Sequence, residues 1–528
     1  MSNDISMNKQ EYKREDGTIT MAKKYFEAGS TEGVGRALGI KAPPYHAFEY
    51  RGMCFVYDTT SCQFFRIDSP TKRFLELCLT RSIDEAKQIL VESGDVTEET
   101  VVGVAREVAA LAGHGLFDSP DYSISSTRLE NELKQRYDNT SWNKLELALA
   151  ETCNLACTYC YCGTCRDVVP NQGLMRETVA RQAVNWLFAV SGKSESVSIT
   201  FFGGEPLLNK LVFRFAVEYS QKLGKLHGKK VFYSMTTNGT LLDDEVIGII
   251  KRYNFGLMVS LDGPPEIHNA QCPTRGGEGS FDAATSGIRL LMARRRSVTV
   301  RCTMAHPVPR MLDLIRYFEE FGFTRIVLGR VVNPVHPSPV DFTDADFASC
   351  ELQTAEELVP WMLEKLALGE KPKYYPYAHF VEEQENETCT TKVGPFKCGA
   401  CRGTTTVGAD GMLYPCHRFV GMEAWRIGTI EDGPDYGRCK KFWRDYRACV
   451  AVKCELCWLW AQCKGPCPWE IAQADGSFRL GKRHCEQVEK YVMQGAWFYA
   501  RFRDQTEKTR TSQPRRKRQA AENGSTCQ

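Results

Sequence analysis

The stretch LELALAETCNLACTYCYC, residues 145–162, decides the fold class. An apolar run of strand length leads directly into four cysteines within ten positions. The chain has 528 residues and 23 cysteines, and its first residues lack the apolar core of a secretory signal. We therefore expect a cytoplasmic protein, in which closely spaced cysteines bind metal or do chemistry more often than they form disulfides.

The pattern that begins with this stretch is strand, loop, helix, and it repeats through residues 143–335. Amphipathic segments of helix length separate six short apolar runs: LELALA, VSITFF, KVFYSMTT, GLMVSL, VTVRCTM and TRIVLG. Such alternation predicts parallel strands joined by crossover helices. A complete eight-unit TIM barrel needs about 250 residues. We therefore predict an α/β fold with a partial, TIM-like (β/α)6 barrel.

Other segments flank this core. Before it, apolar residues alternate through HAFEYRGMCFVYDTTSCQFFRID and helical patterns follow, which predicts a small winged-helix-like domain with three strands first. The division that we predict is a flexible lead-in at 1–42, this small domain at 43–120, a linker at 121–142, the core at 143–335, a bridging region at 336–397, a cysteine-rich domain at 398–490, and a C-terminal helix with a basic tail at 491–528.

Charge and hydropathy exclude several classes of protein. The net charge is +2, which argues against a dedicated nucleic-acid binder. The basic run at 515–518 indicates a solvated tail more than a nucleic-acid patch. Because the chain lacks an apolar run of about 18 residues, the sequence predicts no membrane span.

Three cysteines after the first strand have the spacing C-x3-C-x2-C: Cys153, Cys157 and Cys160. In parallel α/β barrels, the loops after the strands form the active face. Three thiolates on one loop can each hold one iron of a [4Fe–4S] cube and leave the fourth iron open. The alternative is a zinc site that lacks one of its four ligands. Because a fourth cysteine would close the open iron, we predict that Cys162 and Cys165 are spare.

The ends of the later strands add candidates on the same face. Gly203, Gly204 and Glu205 follow the second strand, where glycines allow a ligand to approach the backbone and a carboxylate can pair with an ammonium group. The other polar candidates at strand ends are Asn238, Ser260, Asp262 and Arg301. Possible acid–base groups are Asp262, His268 and His306, although such groups are more often structural hydrogen-bonding residues.

The motifs CNLACTYC, FFGGEP, TTNGT and SLDGPPEIHN together resemble those of the radical S-adenosylmethionine (radical SAM) superfamily. The resemblance implies that the cysteine triplet binds a [4Fe–4S] cluster whose open iron is chelated by S-adenosylmethionine. Further implied cofactor contacts are Tyr159 beside the adenine, Gly203, Gly204 and Glu205 at the amino group, Asn238, and Ser260 at the ribose or carboxylate. Related sequences often have an arginine where this chain has Cys272, so Arg275 or Arg301 is expected to hold the carboxylate.

A second block of cysteines extends from Cys398 to Cys485. Zinc ribbons are one interpretation of such thiolates. The order of cysteines resembles the SPASM extension of radical SAM enzymes, which implies two auxiliary [4Fe–4S] clusters. The implied ligands are Cys398, Cys416 and Cys467 for the first, and Cys454, Cys457, Cys463 and Cys485 for the second. The fourth ligand of the first cluster is either Cys401 or none; Cys389, Cys439 and Cys449 are expected to be ordinary thiols.

The small N-terminal domain resembles the precursor-recognition domain of peptide-modifying enzymes related to the chaperone of pyrroloquinoline quinone biosynthesis. That implies binding of a precursor peptide by strand addition. The alternative is a structural winged-helix accessory, for instance one for nucleic acid, although the domain lacks a strong basic patch. The whole chain resembles maturases that make thioether cross-links in ribosomally made peptides (SCIFF) or in quinohaemoprotein amine dehydrogenase.

The resemblance to these maturases implies three [4Fe–4S] clusters, S-adenosylmethionine, an electron donor such as flavodoxin or ferredoxin, and neither a membrane nor a nucleic-acid partner. Carbon–carbon cross-linking and formylglycine formation in sulfatases are alternatives within the same class of enzyme. A metal-cluster regulator that binds nucleic acid is the alternative from another class.

Overall fold

A computed structural model describes residues 43–512, except for residues 60, 95, 114–130, 133, 135–141, 162–172, 295–296, 332–337, 386–396 and 455–456. The predicted lead-in, most of the linker, Cys162, Cys165, Cys389 and the basic run at 515–518 lie outside the described residues. The chain forms two compact units, which we describe separately.

The first unit contains the described residues of Met1–Ser123, Phe380–Val393 and Lys453–Cys463. Its N-terminal part is an antiparallel sheet in the order β1-β2-β3, followed by three helices. The elements are β1 (Tyr45–Tyr50), β2 (Met53–Asp58), β3 (Phe64–Ile67), α1 (Ser69–Cys78), α2 (Ile83–Glu92) and α3 (Glu98–Gly113). This order agrees with the sequence pattern, while the winged-helix class stays a prediction.

The core of the first unit forms where one face of the sheet meets the helices. Val56, Phe74, Leu90 and Val101 are buried together there. The helix starts are set locally: Asp68 caps α1, and Ser82 with Glu85 forms a capping box at α2.

Trp458 also packs into the first unit. Its ring stacks on His46 at 4.1 Å between centroids and contacts Phe48 and Tyr57. The segment Lys453–Cys463, which carries three of the cysteines, therefore packs against the N-terminal strands.

The second unit is built on a ten-stranded sheet in the order β13-β12-β11-β10-β4-β5-β6-β7-β8-β9. Its central strands are β4 (Lys144–Ala150), β5 (Ser196–Gly203), β6 (Lys230–Thr237), β7 (Gly256–Ser260), β8 (Thr299–Met304) and β9 (Arg325–Arg330). All six are parallel and neighbour one another in chain order. The predicted α/β class with a parallel sheet is confirmed, while barrel curvature stays a prediction.

Helices connect these strands because each intervening segment carries an apolar face. They are α4 (Glu177–Val190), α5 (Lys210–His227), α6 (Asp244–Arg252), α7 (Pro265–Gln271), α8 (Phe281–Met292) and α9 (Met311–Phe321). In β5, Val197, Ile199 and Phe201 are buried, whereas Ser198 and Thr200 on the other face are half-buried. The sheet thus has an apolar face against helices and a more polar face, as alternating side chains require.

The remaining residues form helices and a strand extension. The helices are α10 (Asp344–Gln353), which continues through a π-turn at Thr354–Leu358 into α11 (Val359–Ala367), then α12 (Ala378–Glu385), α13 (Tyr436–Cys454), α14 (Trp460–Cys463), α15 (Pro468–Ile471) and α16 (Lys482–Ser512). The strands are β10 (Thr404–Val407), β11 (Met412–Tyr414), β12 (Gly428–Thr429) and β13 (Gly433–Pro434).

Strand β10 pairs in parallel with β4, so the cysteine-rich segment is hydrogen-bonded into the central sheet. None of the helices in the described part of the chain is long and apolar enough to span a bilayer.

Candidate functional site

The three-cysteine loop directly follows β4, and the start of the next loop holds it closely. Gly204 N donates to Ala150 O at 2.7 Å, and Glu205 N donates to Thr152 O at 3.0 Å. A Cβ at Gly204 would lie 2.2 Å from Thr152 O. The sequence interpretation assigned Gly203 and Gly204 to close approach of a ligand; the structure shows that the backbone of the cysteine loop itself makes this approach.

A second segment, residues 271–275, clamps the cysteine loop from another direction. Ala156 N donates to Pro273 O at 2.8 Å, and Thr158 N donates to Gln271 O at 2.8 Å. These bonds resemble one side of a β-ladder. They fix the backbone on both sides of Cys157.

Arg275 adds a side-chain contact to this clamp. Its Nε donates to Cys153 O at 2.6 Å, and its Nη2 donates to Thr152 Oγ1 at 2.9 Å. Arg275 was one of two arginines expected to hold a cofactor carboxylate. In the structure its guanidinium binds the cysteine loop, which leaves Arg301 as the stronger candidate.

The sulfur of Cys153 faces hydrogen-bond donors. Leu155 N lies 3.4 Å from Cys153 Sγ, and Asn238 Nδ2 lies 3.7 Å from it. Burial nevertheless raises the pKa of the Cys153 thiol to about 12. Donors aimed at a cysteine sulfur are the environment in which iron–sulfur ligands sit, and metal binding would displace the thiol proton. The donor set therefore fits a cluster.

Glu205 lies fully buried where β5 and β6 end. Its Oε1 accepts from Leu207 N at 3.0 Å and Thr237 Oγ1 at 2.8 Å, and its Oε2 accepts from Asn238 N at 2.8 Å. Burial raises the pKa of the carboxyl to about 7 even though these donors oppose the rise. Glu205 thus joins two strand ends, and an ammonium group beside it would favour its charged form.

Tyr159, Asp262 and Cys272 form a closed set of contacts beside the cysteine loop. Tyr159 Oη donates to Asp262 Oδ2 at 2.6 Å and lies 3.3 Å from Cys272 Sγ, which is 3.2 Å from Asp262 Oδ2. Thr303 N donates to Asp262 Oδ1 at 2.8 Å. Burial raises the pKa of Asp262. The hydroxyl of Tyr159 is therefore engaged in this set, and its placement beside an adenine stays a prediction.

His268 belongs to the scaffold behind Asp262. Its Nδ1 accepts from Asp262 N at 3.2 Å, and its Nε2 lies 3.1 Å from Ser280 Oγ. The ligand atoms of Asp262, His268 and Cys272 lie within 4.8 Å of one another, and all three residues are buried. Because both ring nitrogens already have partners, a hydrogen-bond scaffold explains this group better than a metal site.

His306, the other histidine candidate, makes a different contact. Its Nδ1 lies 2.8 Å from Asp346 Oδ2. The carboxylate of Asp346 also accepts from Val308 N at 3.1 Å and from Thr343, the N-cap of α10. These bonds anchor the start of a helix, which is a structural role.

Arg301 projects from β8 on the half-buried face of the sheet. Ser260 at the end of β7 is its backbone partner. Gly329 on β9 provides space for the guanidinium, since a Cβ there would lie 2.9 Å from Arg301 Nη2. Burial and the nearby Arg418 lower the pKa of Arg301. A half-buried guanidinium next to a second one is a favourable place for a carboxylate.

Part of the chain is similar to a known family of enzymes. Residues 147–315 match the Radical SAM superfamily. The chain contains a radical SAM domain. The resemblance expected from the sequence motifs is confirmed, and membership implies S-adenosylmethionine and a [4Fe–4S] cluster as cofactors.

The relatives of the chain include maturases. It is 25% identical to the cysteine-type anaerobic sulfatase-maturating enzyme of Clostridium perfringens (strain 13 / Type A) over 60% of this chain and 85% of that protein. It is 22% identical to the radical SAM cyclopropyl synthase TigE of Paramaledivibacter caminithermalis over 65% of this chain and 71% of that protein. The solved structure of native anSMEcpe with bound AdoMet shares the fold, with a TM-score of 0.56 and 22% identity over 68% of this chain and 98% of that chain.

The second cysteine block brings some predicted ligands together. Burial raises the pKa of Cys398, Cys416 and Cys467. The charge of the neighbouring Cys467 thiol raises the pKa of Cys398 and of Cys416 further. Cys401 is fully buried, interacts with both Cys398 and Cys416, and forms a hydrogen bond with Cys439. Its φ of 54° lies in the left-handed region that favours glycine. Cys439 is thus closer to this group than the sequence interpretation assumed.

The four cysteines predicted to hold the second auxiliary cluster belong to different units. Cys454, Cys457 and Cys463 lie in the first unit, and Cys485 lies on α16 in the second. Every described cysteine except Cys62, which is disulfide-bonded, is a free thiol.

Sequence reasoning missed Glu146. This carboxylate on β4 accepts from Thr406 Oγ1 at 2.5 Å and from His417 N at 3.1 Å, and lies 3.2 Å from His417 Nδ1. Those contacts lower the pKa of Glu146 although burial opposes them. His417 directly follows Cys416, so Glu146 fixes this cysteine to the radical SAM strand. The sequence signal that could have identified it is the presence of a charged residue inside the otherwise apolar run LELALA.

Proposed function

We propose that this radical SAM enzyme oxidatively modifies a ribosomally made peptide or protein, and that its product is a thioether between a cysteine sulfur and a carbon. The observation that carries the proposal is the structural connection between the two cysteine groups. β4 leads into the three-cysteine loop, and the same strand pairs with β10 and holds His417 beside Cys416. A cluster held by the second group would accept the surplus electron of such an oxidation.

The residues present fit the proposed cofactors. We propose that Cys153, Cys157 and Cys160 hold the first cluster, that Cys398, Cys416 and Cys467 with Cys401 hold one auxiliary cluster, and that Cys454, Cys457, Cys463 and Cys485 hold the other. When bound, these groups and S-adenosylmethionine supply a carbon-centred radical and an acceptor for the surplus electron.

The chain's own residues would bind and orient the cofactor. Glu205 presents a buried carboxylate for the ammonium group, directly after Gly203 and Gly204 in the chain. Arg301 presents a guanidinium for the carboxylate, in the space that Gly329 leaves. Asn238 holds Asn154 at 3.0 Å and donates toward Cys153 Sγ, which orients the loop.

The substrate would be recognised by the N-terminal sheet. Because β2 is the central strand, β1 and β3 are the edges to which an extended peptide can add by backbone hydrogen bonds. The cysteine-type anaerobic sulfatase-maturating enzyme among the relatives supports a polypeptide substrate. We further propose a small electron donor such as flavodoxin or ferredoxin.

The test uses the full chain, reconstituted with iron and sulfide without oxygen. Three clusters predict about twelve iron atoms per chain. With dithionite, S-adenosylmethionine and short cysteine-containing peptides, we expect 5′-deoxyadenosine as one product. The peptide should lose the mass of two hydrogens and should contain one free thiol fewer, because that sulfur has become a thioether. Zinc without iron would refute the radical SAM assignment of the cysteines, and 5′-deoxyadenosine without any change in peptide mass would refute cross-linking.

Formylglycine formation is the second candidate, and the 25% identity to a sulfatase-maturating enzyme favours it. The two reactions differ in their products. A formylglycine is an aldehyde that reacts with a hydrazide probe, and its formation creates no cross-link. A thioether does not react with hydrazide, and the fragment spectrum shows that it joins two residues. A carbon–carbon cross-link would keep the cysteine thiol free.

A further inference from the structure

Trp469 lies between the two groups of cysteines in the second unit. It follows Cys467 by two residues, in the short helix α15. The centroid of its ring lies 5.7 Å from that of Tyr161, the residue directly after the three-cysteine motif, and 5.4 Å from that of Phe419. Phe419 in turn follows Cys416 by three residues. The indole is therefore packed between the three-cysteine loop and segments that carry two cysteines of the second group.

The indole N–H group of Trp469 is buried without a hydrogen-bond acceptor. The residue is 2% exposed, and in the part of the chain that the structure describes, no atom accepts a bond from its Nε1. An indole nitrogen only donates, and a buried indole usually donates to a partner. Because a buried donor without an acceptor loses the hydrogen bond that water would give it, such a group indicates a bound ligand that supplies the acceptor.

A neighbouring tryptophan shows the usual arrangement. Trp425 is also buried and also packs against Phe419, at 5.0 Å between ring centroids. Its Nε1 donates to Gln473 O at 3.0 Å. Two buried indoles thus share one aromatic neighbour, and of the two only Trp425 has an acceptor among the described residues.

The cysteines near Trp469 indicate the kind of ligand. The sulfide ions and cysteine thiolates of an iron–sulfur cluster accept hydrogen bonds, and these bonds help to set its reduction potential. Cys416 and Cys467 both belong to the set proposed for one auxiliary cluster. The buried donor therefore fits this auxiliary cluster better than the first cluster, to which the indole is linked through Tyr161.

We propose that Trp469 tunes the auxiliary cluster held by Cys416 and Cys467: its indole N–H group donates to a sulfur of that cluster and makes the cluster easier to reduce. The physical reason is charge. The reduced cluster carries one more negative charge than the oxidised cluster, and a donor at a sulfur stabilises the more negative state. Such a cluster is a better acceptor for the surplus electron of the proposed oxidation. The inference rests on the proposed ligands of this cluster.

The experiment uses the full chain, reconstituted with iron and sulfide, and follows a redox titration by electron paramagnetic resonance. The signal that is lost in Cys416→Ala and kept in Cys157→Ala identifies the auxiliary cluster. We expect Trp469→Phe, which removes the donor and keeps an aromatic ring, to shift the reduction equilibrium of this cluster toward the oxidised form by about threefold to tenfold, the effect of one hydrogen bond. A tenfold change is about 59 mV for a one-electron couple.

A second measurement detects the bond directly. With the indole nitrogen of tryptophan isotopically labelled, pulsed electron paramagnetic resonance of the reduced auxiliary cluster should show a coupling to this nucleus that disappears in Trp469→Phe. The substitution Trp469→benzothienylalanine replaces the N–H group with sulfur and keeps the shape of the indole. It should shift the midpoint as Trp469→Phe does, which separates loss of the donor from altered packing.

Trp425→Phe is the matched control. It removes a buried indole that packs against the same phenylalanine, but the N–H group of this indole already has a main-chain acceptor. We therefore expect the reduction equilibrium of the auxiliary cluster to stay within about twofold of wild type.

Several results would overturn the proposal. A Trp469→Phe equilibrium within about twofold of wild type, or equal shifts in Trp469→Phe and Trp425→Phe, would remove the proposed bond. A shift confined to the cluster that responds to S-adenosylmethionine would place the donor at the first cluster, and weaker peptide binding with unchanged midpoints would place it on the substrate. A wild-type chain without a signal that depends on Cys416 would overturn the proposed ligands as well. The expected midpoint shift in a chain that modifies no peptide would support the bond and refute only the proposed reaction.

Discussion

Replacing Glu205 with glutamine tests the electrostatics of the cofactor site. The carboxyl group is fully buried, and burial raises its pKa from 4.5 to about 7. A rise of this size corresponds to about 3 kcal/mol. Because the folded pKa is higher than the unfolded one, this stabilisation is complete below about pH 4.5 and is lost as the pH rises through about 7.

The glutamine variant lacks this pH dependence. A protonated carboxyl and an amide have nearly the same shape, but the amide nitrogen cannot accept the bond that Asn238 N donates to Oε2, so at about pH 5 Glu205→Gln should be less stable by about 1 kcal/mol. Between about pH 5 and about pH 8, where the wild-type carboxyl becomes charged, the difference in stability should move in favour of Glu205→Gln by up to about 3 kcal/mol. Urea denaturation of both proteins across this range measures the difference.

S-adenosylmethionine binding should change in the opposite sense. Because the proposed partner of its ammonium group is the charged carboxylate, wild-type affinity should rise as the pH rises through about 7, while Glu205→Gln should bind about tenfold to hundredfold more weakly at about pH 8 and without this dependence. A difference in stability that varies by less than about 1 kcal/mol between about pH 5 and about pH 8 would refute a carboxyl that titrates near 7.

Three further substitutions test the loop and the first unit. Gly204→Ala should abolish iron loading, because a Cβ there would lie 2.2 Å from a backbone oxygen of the cysteine loop; Gly248→Ala, where a Cβ meets nothing within 4 Å, is the control. Cys157→Ser should abolish cleavage of S-adenosylmethionine, whereas Cys162→Ser should keep it; equal loss of iron in both would contradict the proposed ligand set. Trp458→Ala should destabilise the first unit by about 3–5 kcal/mol in urea denaturation, and unchanged stability would show that its stacking contributes little.

The strand order of the core could be predicted from sequence because hydrophobic periodicity is local. Each run such as VSITFF carries its own alternation, and parallel strands that follow one another in sequence usually pair in that order. The pairing of β10 with β4 could not be predicted in this way. Thr404–Val407 is four residues long and more than 250 residues from its partner, so its register depends on tertiary packing alone.

In the candidate site, too, the sequence predicts which residues lie together but not the contacts that they make. The motif positions Glu205, Asn238 and Asp262 do converge near the cysteine loop, since the carboxyl ends of parallel strands share one edge. Their hydrogen-bond partners were not visible in the sequence. That Arg275 contacts the loop backbone, and that Cys272 faces Tyr159, depends on how residues 271–275 cross the loop.

The cysteine loop is held by contacts with other parts of the chain. Residues 271–275 and the glycine turn after β5 supply backbone hydrogen bonds to it, and Arg275 supplies a side-chain fork. A loop that is already ordered loses little conformational entropy when a cluster binds. The remaining cost is removal of protons, because burial raises the pKa of Cys153 to about 12. Cluster assembly should therefore release protons and become more favourable as pH rises, while Arg275→Gln should weaken iron retention by adding the cost of ordering the loop.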